Sequence, residues 1–451
     1  MPYDPSEAIS RLRSFLASDP ALAFLHAFIA DHPGAEAFLV GGAVRDAVMG
    51  RSVKDVDVVV RGRAREEVER WLGERGTLEL VGKSFGVYKF LPRGFTTDVH
   101  PFVDVALPRR EHASAGSLGG YRDFDLQVDP QLPIDEDLKR RDFAVNAMAF
   151  DIRRERLVDP AHGMDDLHAR TIRAVGTPEE RFGEDLSRML RAIRFACQLD
   201  FEIEEATWTA LKARADELNK KRPDGSFVLP RETVGAELAK AFSARPFAAS
   251  ELLMNSGAMR ELLPEVEAAA KGTERYFDPL ARVPTGDLAA ALAVLMRSVP
   301  AKEVAPLIDR VGLATLPKDS PLRTHAANVT WLVERLQQQA VDPTQMRPSQ
   351  FERQFMNGHG ESHLHVLTAL GDRERVEKAV ARARELRREW GVGEGERVPS
   401  LVSGDDVVAA GVAPGPKVRL MLEAARDAQL EGKVKTRTHA LKWLREHLGQ
   451  V

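Results

Sequence analysis

Two aspartates stand two residues apart inside an apolar run, in the segment FLVGGAVRDAVMGRSVKDVDVVV that covers residues 38–60. Side chains at positions i and i+2 of a strand point to the same face, so Asp55 and Asp57 project together while the valines beside them face the core. Two carboxylates on one face repel unless a cation lies between them, and hard oxygen ligands suit Mg²⁺. The pattern predicts a magnesium site, with Asp104 in FVDVAL as the candidate third carboxylate.

A pair of glycines and an arginine precede these aspartates. An isolated Asp-x-Asp is usually a polar strand edge or turn, so the preceding GGAVRD decides the interpretation. Gly41 and Gly42 have no side chain and let the backbone come close to a phosphate. The guanidinium of Arg45 can hold phosphate oxygens in its fork of donors. Glycines, an arginine and paired metal ligands in this order indicate a site for a nucleoside triphosphate.

A second stretch that could do chemistry covers residues 185–197. At about 100° per residue, a helix here gathers its apolar side chains on one side. The opposite arc carries Asp185, Arg188, Arg191 and Arg194. An ordinary amphipathic helix has the same pattern, but a nearby metal site favours a sharper hypothesis. An aspartate can accept from the exocyclic amine of cytosine or adenine while an arginine donates to the same base edge; uracil and guanine would leave buried groups unpaired.

The whole chain limits which elements can position these residues. It has 451 residues, 43% of them hydrophobic, and a formal net charge of −4, which leaves room for a local basic surface that binds nucleic acid. This length predicts two to four domains. Cys197 is the single cysteine, so no internal disulfide can form, which fits a reducing cytoplasm. Without a signal-like N-terminus or a run of eighteen apolar residues, the protein is expected to be soluble, neither exported nor membrane-spanning.

The texture of the sequence changes along the chain. Residues 1–32 have helical spacing of apolar side chains. Short β-rich runs, namely AFLVGG, VDVVV, GVYKFL and VDVAL, then alternate with helical stretches up to about residue 150. Strand signals become sparse after that, and long amphipathic stretches take over. The fold class is therefore α+β: a head with a small mixed sheet and helices, followed by all-α modules.

Several motifs follow one another in a familiar order. LVGGAVRD followed by DVD resembles the signature of the class II tRNA nucleotidyltransferases, the CCA-adding enzymes, which share a polymerase-β-type head with bacterial poly(A) polymerases. Further stretches resemble this family's RRDFTxNA motif, its EDxxR template motif, its neck motif and its C-terminal Gly-Pro hairpin segment; they are DEDLKRRDFAVNAMAFD (135–151), GEDLSRMLRAIRFA (183–196), LPRETVGAELAKAF (229–242) and SGDDVVAAGVAPGPKVRLML (403–422). Together the motifs are far more specific than any one of them.

The resemblance implies a domain plan and a reaction. The domains would be a nucleotidyltransferase head over 1–150, a helical neck with the template helix over 151–270, a helical body over 271–395 and a tRNA-binding helical tail over 396–451. The 3′-hydroxyl of tRNA would attack the α-phosphate of CTP or ATP and release pyrophosphate, with two Mg²⁺ ions at Asp55 and Asp57. The implied partner is the acceptor arm and 3′ end of tRNA; no membrane and no protein partner are implied.

The resemblance also assigns roles to single residues. Asp185 and Arg188 would read the base of the incoming nucleotide, so that the protein replaces a nucleic-acid template. The other residues that it places at the nucleotide are Gly41, Gly42, Arg45, Arg141, Asp142, Asn146, Arg191 and Arg194, of which Asp142 and Asn146 suit ribose and local hydrogen bonds. Asp55, Asp57 and Asp104 are the candidate catalytic carboxylates. Family members often have Thr where this chain has Ala144.

Three alternatives remain open. Bacterial poly(A) polymerases share the head, but they usually have an arginine where LVGKSFGVY has Ser84 and carry a strongly basic C-terminal extension, which is absent here. A partial enzyme would add only CC or only A; the segment 104–141 is not obviously shortened, which favours addition of all three nucleotides. A non-catalytic RNA-binding relative is disfavoured because Asp55 and Asp57 are both present. The cluster His359, His363 and His365 favours a surface or core role over a metal site.

Overall fold

The computed structural model describes residues 4–80, 87–97, 102–113, 118–120, 124–316 and 326–448. The chain divides into two compact units. The first contains Met1–Glu267 with Val311–Leu316, and the second contains Ala268–Arg310 with Pro317–Val451. Among the helices of the described ranges, none combines the length and the apolar character needed to cross a membrane.

The first unit mixes strands and helices. Its strands are β1 (Glu36–Val40), β2 (Val56–Arg61), β3 (Gly76–Leu80), β4 (Val87–Pro92), β5 (Val103–Ala106), β6 (Arg109–Ala113), β7 (Phe124–Val128), β8 (Ala149–Asp151), β9 (Arg156–Val158), β10 (Thr171–Ile172) and β11 (Glu202–Ile203). Its helices are α1 (Pro5–Ser18), α2 (Phe24–Asp31), α3 (Gly42–Val48), α4 (Arg65–Gly73), α5 (Ile134–Lys139), α6 (Gly163–Ala169), α7 (Pro178–Glu184), α8 (Ser187–Leu199), α9 (Glu205–Ala213), α10 (Arg231–Ala244), α11 (Pro246–Ser256) and α12 (Ala258–Leu262).

The second unit is helical in its described part. Helix α13 (Pro264–Ala270) crosses the division, and the helices that follow are α14 (Leu288–Leu295), α15 (Ala301–Arg310), α16 (Ala326–Gln337), α17 (Pro348–Phe355), α18 (Gly360–Ala369), α19 (Arg373–Trp390), α20 (Gly404–Ala409), α21 (Pro416–Leu430) and α22 (Arg437–His447). Short 3-10 turns lie at Pro20–Leu22, Ala144–Asn146, Ala215–Asn219, Asp278–Arg282, Leu313–Thr315 and Pro343–Gln345.

A mixed sheet forms the head of the first unit. Its strand order is β3-β4-β5-β2-β1-β8-β9, in which β2 runs antiparallel to β1 and parallel to β5. The valines of β2 are buried on both faces of the sheet, since Val58, Val59 and Val60 are each at most 2% exposed. A β-branched run of this kind suits a central strand. Its pairing with β1 and β5 sets the position of Asp57.

The α+β class predicted from the sequence is confirmed, and so are the strands at β1, β2, β4 and β5. The helical structure predicted over residues 1–32 is present but interrupted: α1 ends at Ser18, and a 3-10 turn separates it from α2. Pro20 cannot donate to a continuing helix, and the Asp19 side chain accepts from the Ala21 amide at 2.9 Å, which starts a new turn. The finer division into head, neck, body and tail remains a prediction.

Candidate functional site

Strands β2 and β5 place two of the three predicted carboxylates side by side. Asp57 lies opposite Asp104 in the parallel register of β2 and β5, while Asp55 is exposed just before β2 begins. Burial raises the pKa of Asp57; the charge of Arg141 opposes the rise, and the charges of Asp104 and Asp55 add to it. A carboxylate whose ionised form is disfavoured by burial and by like charges gains from a nearby cation.

Asp104 is incompletely satisfied by the protein. The Lys89 ammonium lies 3.6 Å from its Oδ1, and that oxygen is buried with no hydrogen-bond partner in the described part of the chain. Within the described ranges, no three or more His, Cys, Asp or Glu side chains are grouped so as to hold a metal ion. The donor set nevertheless fits a hard divalent cation, because carboxylate oxygens from neighbouring strands are the ligands that Mg²⁺ takes.

Gly41 joins β1 to α3 at a point where only glycine fits. Its φ of +69° lies in the region that L side chains rarely adopt. A Cβ on Gly41 would lie 2.6 Å from Nη1 of Arg141 and 3.8 Å from Oδ2 of Asp57. The missing side chain therefore lets the Arg141 guanidinium reach the strand end that carries Asp57. Arg141 Nη2 lies 3.9 Å from Oδ2 of the buried Asp137.

Arg45 projects from α3, which begins at Gly42. Its Nε and Nη2 donate to the two carboxylate oxygens of Asp46, each at 2.9 Å, and its Nη1 donates to Oδ1 of Asn146 at 2.6 Å. The guanidinium is thus engaged by protein groups on both sides, and Arg45 is only 8% exposed. Of the two residues that hold it, the sequence predicts Asn146 at the site but does not single out Asp46.

Asp142 links the head to α8. Its Oδ2 accepts from Nε and Nη2 of Arg191 at 2.8 and 2.5 Å, and its Oδ1 accepts from the Phe143 amide at 2.8 Å and from Nδ2 of Asn146 at 3.3 Å. Burial raises the pKa of Asp142, but the charge and hydrogen bonds of Arg191 outweigh burial and lower that pKa to about 2. Asp142 is therefore an ionised partner of Arg191, and it orients Asn146, which in turn holds Arg45.

The predicted helix over 185–197 needs a correction at its start. Helix α8 begins at Ser187, and Asp185 has an extended backbone with φ −143° and ψ 106°. The Asp185 side chain accepts from the Ser187 amide at 2.8 Å, so it satisfies a donor that the first turn of α8 leaves free. Asp185 therefore does not share the helical arc of the arginines.

Arg188, the second predicted base reader, is 8% exposed and tightly held. Its Nη1 donates to Oε2 of Glu184 at 2.6 Å and to the carbonyl of Arg181 at 3.1 Å, and its Nη2 donates to the carbonyl of Arg140 at 3.3 Å. Glu184 precedes Asp185 directly, so the residues around the start of α8 position both members of the predicted reading pair.

The remaining arginines of α8 converge on an aromatic ring that the sequence analysis does not single out. The guanidinium carbon of Arg194 lies 3.9 Å from the ring centre of Phe195, and those of Arg191 and Arg45 lie 5.4 and 5.3 Å away. Arg194 Nε also lies 2.6 Å from a carboxylate oxygen of Glu237 on α10. Burial lowers the pKa of Arg194 to about 10, with Glu237 opposing the shift. The sequence signal for Glu237 is its place in the LPRETVGAELAKAF stretch.

Comparisons with known proteins show which proteins this chain resembles. Residues 37–173 match the family model of the Poly A polymerase head domain. Among curated proteins, the multifunctional CCA protein of Methylobacillus flagellatus is 37% identical over 235 residues, covering 51% of this chain and 50% of that protein. The CCA-adding enzyme of Streptococcus suis is 40% identical over 211 residues, covering 43% of this chain and 44% of that protein. The chain thus spans about half the length of the curated relatives it matches.

Solved structures extend the likeness in fold to nearly the whole chain. The Bacillus stearothermophilus CCA-adding enzyme in complex with CTP has a TM-score of 0.67 at 23% identity, covering 96% of this chain and 98% of that one. The Thermotoga maritima CCA-adding enzyme complexed with tRNA-CCA has a TM-score of 0.57 at 21% identity, covering 95% and 96%. Residues 37–173 of the first unit are thus similar to the Poly A polymerase head domain, and the whole chain shares its fold with these solved structures. The resemblance to CCA-adding tRNA nucleotidyltransferases that the motifs indicate is confirmed.

Proposed function

We propose that the protein adds CMP and AMP from CTP and ATP to the 3′ end of tRNA, without a nucleic-acid template, and so completes the CCA sequence. The terminal 3′-hydroxyl of tRNA attacks the α-phosphorus; a new phosphodiester forms, the bond to the β-phosphate oxygen breaks, and pyrophosphate leaves. The relatives' names and the structures in complex with CTP and with tRNA-CCA support this assignment.

The observation that carries the proposal is the layout of the head site. A carboxylate pair on adjacent strands, Asp57 and Asp104, stands beside a glycine turn that admits the Arg141 guanidinium. The carboxylates can bind the cations that a triphosphate and an attacking hydroxyl both need. The guanidinium and the closely approaching backbone can hold the phosphates in position.

Asp55 and Asp57 would hold Mg²⁺, with Asp104 as the third oxygen ligand. When bound, Mg²⁺ would favour ionisation of the tRNA 3′-hydroxyl and neutralise charge on the phosphates. Arg141 lies near enough to Asp57 to affect its pKa and would bind phosphate oxygens. Arg45, oriented by Asn146 and paired with Asp46, would offer its remaining N–H donors to the same phosphates.

Asp185 and Arg188 would choose the base. Glu184 and two backbone carbonyls fix the direction of the Arg188 guanidinium, so its remaining donor capacity is directional. A carboxylate acceptor and a guanidinium donor match the amine and the adjacent acceptor of cytosine and adenine. Uracil and guanine place a carbonyl where the amine is needed, which leaves a buried group unpaired.

The acceptor arm of tRNA would be held mainly through shape and phosphate contacts by the helical parts of the chain. The basic segment EGKVKTRTHALKWLREHL, which includes α22, is a candidate for such contacts. The same segment fits a solvated helix equally well, and only an experiment separates the two.

The decisive experiment offers the purified protein three tRNAs, ending at the discriminator base, after one C and after CC, with each labelled nucleoside triphosphate. We expect all three to be extended to CCA and no further. Product that stops at CC, or extension of the CC-ended tRNA alone, would identify a partial enzyme.

A long A-tail on unrelated RNA would identify a poly(A) polymerase. Ser84, on which the sequence argument against that alternative rests, lies outside the described residues, so this arm is needed. Absence of any transfer, with intact RNA binding, would indicate a non-catalytic relative.

A further inference from the structure

Helix α10 carries a lysine that the site described above does not use. Lys240 follows Glu237 by three residues on α10, so the two side chains lie on one face of the helix. Glu237 is bound to Arg194 of α8. The face of α10 that carries Lys240 is therefore the face that meets the arginines of α8.

The Lys240 side chain lacks an anionic partner within the described ranges. Its side chain is half-buried, and it has no hydrogen bond and no ion pair with any residue in the described ranges. Burial lowers the pKa of Lys240; Glu237 and Asp55 oppose the shift, and Arg194 and Arg191 add to it. A half-buried lysine on the helix face that meets the arginines of α8 gains free energy when an anion binds its ammonium.

The nearby acidic groups are already occupied. Glu237 is bound to Arg194, and Asp142 accepts two hydrogen bonds from Arg191. Asp55 is a predicted metal ligand and would be neutralised by its cation. Within the described part of the chain, Lys240 is thus left without an anion of its own, at the edge of the site predicted to receive a polyanion.

We propose that Lys240 contacts the phosphate chain of the incoming nucleoside triphosphate. This inference rests on the proposed function and adds to it a cation from α10. The ammonium donates to non-bridging oxygens of the β- or γ-phosphate, and after transfer the same contact holds pyrophosphate. Phosphate of the nucleotide is favoured over phosphate of tRNA because Lys240 shares a face of α10 with Glu237, whose partner Arg194 lies on the Phe195 ring together with Arg191 and Arg45. These three arginines are predicted to face the triphosphate.

The test compares Lys240→Met and Lys240→Arg with Lys212→Met, which removes an exposed lysine on α9 of the same unit. Equilibrium binding of CTP and of sodium pyrophosphate, each with Mg²⁺ and without tRNA, is the first readout. We expect Lys240→Met to weaken both by about 10- to 100-fold, the loss of one charge-assisted hydrogen bond in a partly buried site. The Kd values of Lys240→Arg should stay within about threefold of those of the wild type. The Kd values of Lys212→Met should equal those of the wild type.

Steady-state extension of tRNA is the second readout, and circular dichroism with thermal melting checks the fold. The proposal predicts a higher KM for CTP and ATP with an unchanged KM for tRNA.

Unchanged binding of CTP and pyrophosphate by Lys240→Met would overturn the proposal, as would a change confined to the KM for tRNA. A loss of binding by Lys240→Arg equal to that of Lys240→Met would assign Lys240 a structural role. If Lys240→Met does not fold, Lys240→Gln takes its place. Wild type that binds CTP but extends no tRNA would refute the proposed function while leaving the Lys240 comparison valid.

Discussion

At the scale of the residue, Asp57 is held in an arrangement that is unfavourable without a cation. It is partly buried, with the Asp104 carboxylate beside it on the adjacent strand and Arg141 as a partial counter-charge. The sequence predicts Asp57, with Asp104 on a neighbouring strand, because side-chain alternation in a strand is a local property. Arg141 is predicted from the family resemblance. The sequence does not reveal that Asp55 lies just outside β2, since the end of a strand depends on its partners.

Replacing Asp57 by Asn is expected to abolish nucleotidyl transfer, because the amide keeps the shape but does not supply the anionic oxygen that a divalent cation needs. We expect turnover to fall at least about a thousandfold, since the loss affects the ionised groups of the reaction centre. Single-turnover extension of tRNA measures this. Glu79→Gln on β3 removes an exposed carboxylate from the same sheet and should leave turnover unchanged. Substantial activity in Asp57→Asn would rule out Asp57 as a metal ligand.

His363 is a buried titratable group away from the site. Its ring is parallel to that of Phe355, 4.9 Å between centres, and it lies 5.6 Å from Trp331 in a perpendicular arrangement. Nδ1 is 3.2 Å from the Gln354 carbonyl, while Nε2 is buried without a hydrogen-bond partner in the described part of the chain. Of the surface and core roles that the sequence allows, the structure places His363 in the core.

Burial lowers the pKa of His363 from 6.5 to about 4. A folded-state pKa below the unfolded value means that the unfolded chain binds the proton more tightly. The contribution of neutral His363 to the free energy of unfolding is therefore fully present above about pH 6.5 and is lost as pH falls towards 4. The loss is on the order of 3 kcal/mol.

Urea unfolding of the protein between pH 7 and pH 4, followed by tryptophan fluorescence, checks this prediction. His363→Gln should flatten the pH dependence of the unfolding free energy, whatever its effect on absolute stability. His439→Gln removes an exposed histidine of the same unit and should keep the wild-type slope. Equal slopes in wild type and His363→Gln would show that another group titrates.

At the scale of the element, the turn between β1 and α3 is set by glycine for two separate reasons. The positive φ of Gly41 disfavours any side chain, and a Cβ would meet Arg141 Nη1 at 2.6 Å. Gly41→Ala is expected to displace the Arg141 guanidinium and to lower kcat/KM for CTP by about a hundredfold or more, since small misplacements at a reaction centre have effects of this size. Steady-state kinetics measures it.

Gly94→Ala is the matched control for backbone strain. Gly94 also has a positive φ, +92°, but no atom lies within 4 Å of the position that a Cβ would take there. Both variants should lose stability by about 1 kcal/mol or more because an L residue is strained in this conformation. Only Gly41→Ala should lose activity beyond that expected from its stability; equal kinetics for the two variants would refute the contact argument.

Helix α8 is predicted correctly as an amphipathic helix, but its first turn is not. The buried side of α8 contains the apolar side chains that periodicity identifies, including Met189, Leu190 and Ile193. Helix periodicity cannot determine where the first turn begins, because that depends on capping by Asp185 and on the packing of the preceding α7.

The predicted base-reading role of Asp185 and Arg188 has a direct test. Asp185→Ala and Arg188→Ala should slow incorporation of CTP and ATP about ten- to a hundredfold, which corresponds to about 1–3 kcal/mol. Incorporation of UTP and GTP should rise relative to CTP, because the groups that penalise them are gone. Competition among all four nucleotides measures both effects. Arg70→Ala, which removes an exposed arginine of α4, should keep wild-type selectivity. Normal preference in both site variants would leave α8 with only a structural role.

At the scale of the whole molecule, the tRNA-binding tail predicted over 396–451 falls in the second compact unit. If the segment before and within α22 contacts tRNA phosphates, Lys435→Gln should weaken tRNA binding at low salt. The slope of log Kd for tRNA against log salt should fall by about 0.7–0.9, the contribution of one phosphate contact.

Filter binding of tRNA at several salt concentrations checks this prediction, and the KM for CTP should not change. Lys302→Gln on α15 removes an exposed lysine from a helix that no motif associates with tRNA. It should keep the wild-type slope. If Lys435→Gln behaves like Lys302→Gln, this face is a solvated helix surface, the alternative that its charge pattern equally allows.

The sequence by itself determined the class of the fold, the main strands of the head and the chemical types at the site. Alternation and helical periodicity are local properties, so the strand that carries Asp57 could be predicted without coordinates. Motif order placed Gly41 and Arg141 at the predicted site, and the roles of all three residues remain predictions. Only the tertiary structure decided how these residues meet. The opposition of Asp57 and Asp104, the Asn146 bridge to Arg45, the approach of Arg45 to the Phe195 ring and the approach of α10 all depend on how separate elements pack together. Such packing joins segments far apart in the chain, and no local pattern encodes it.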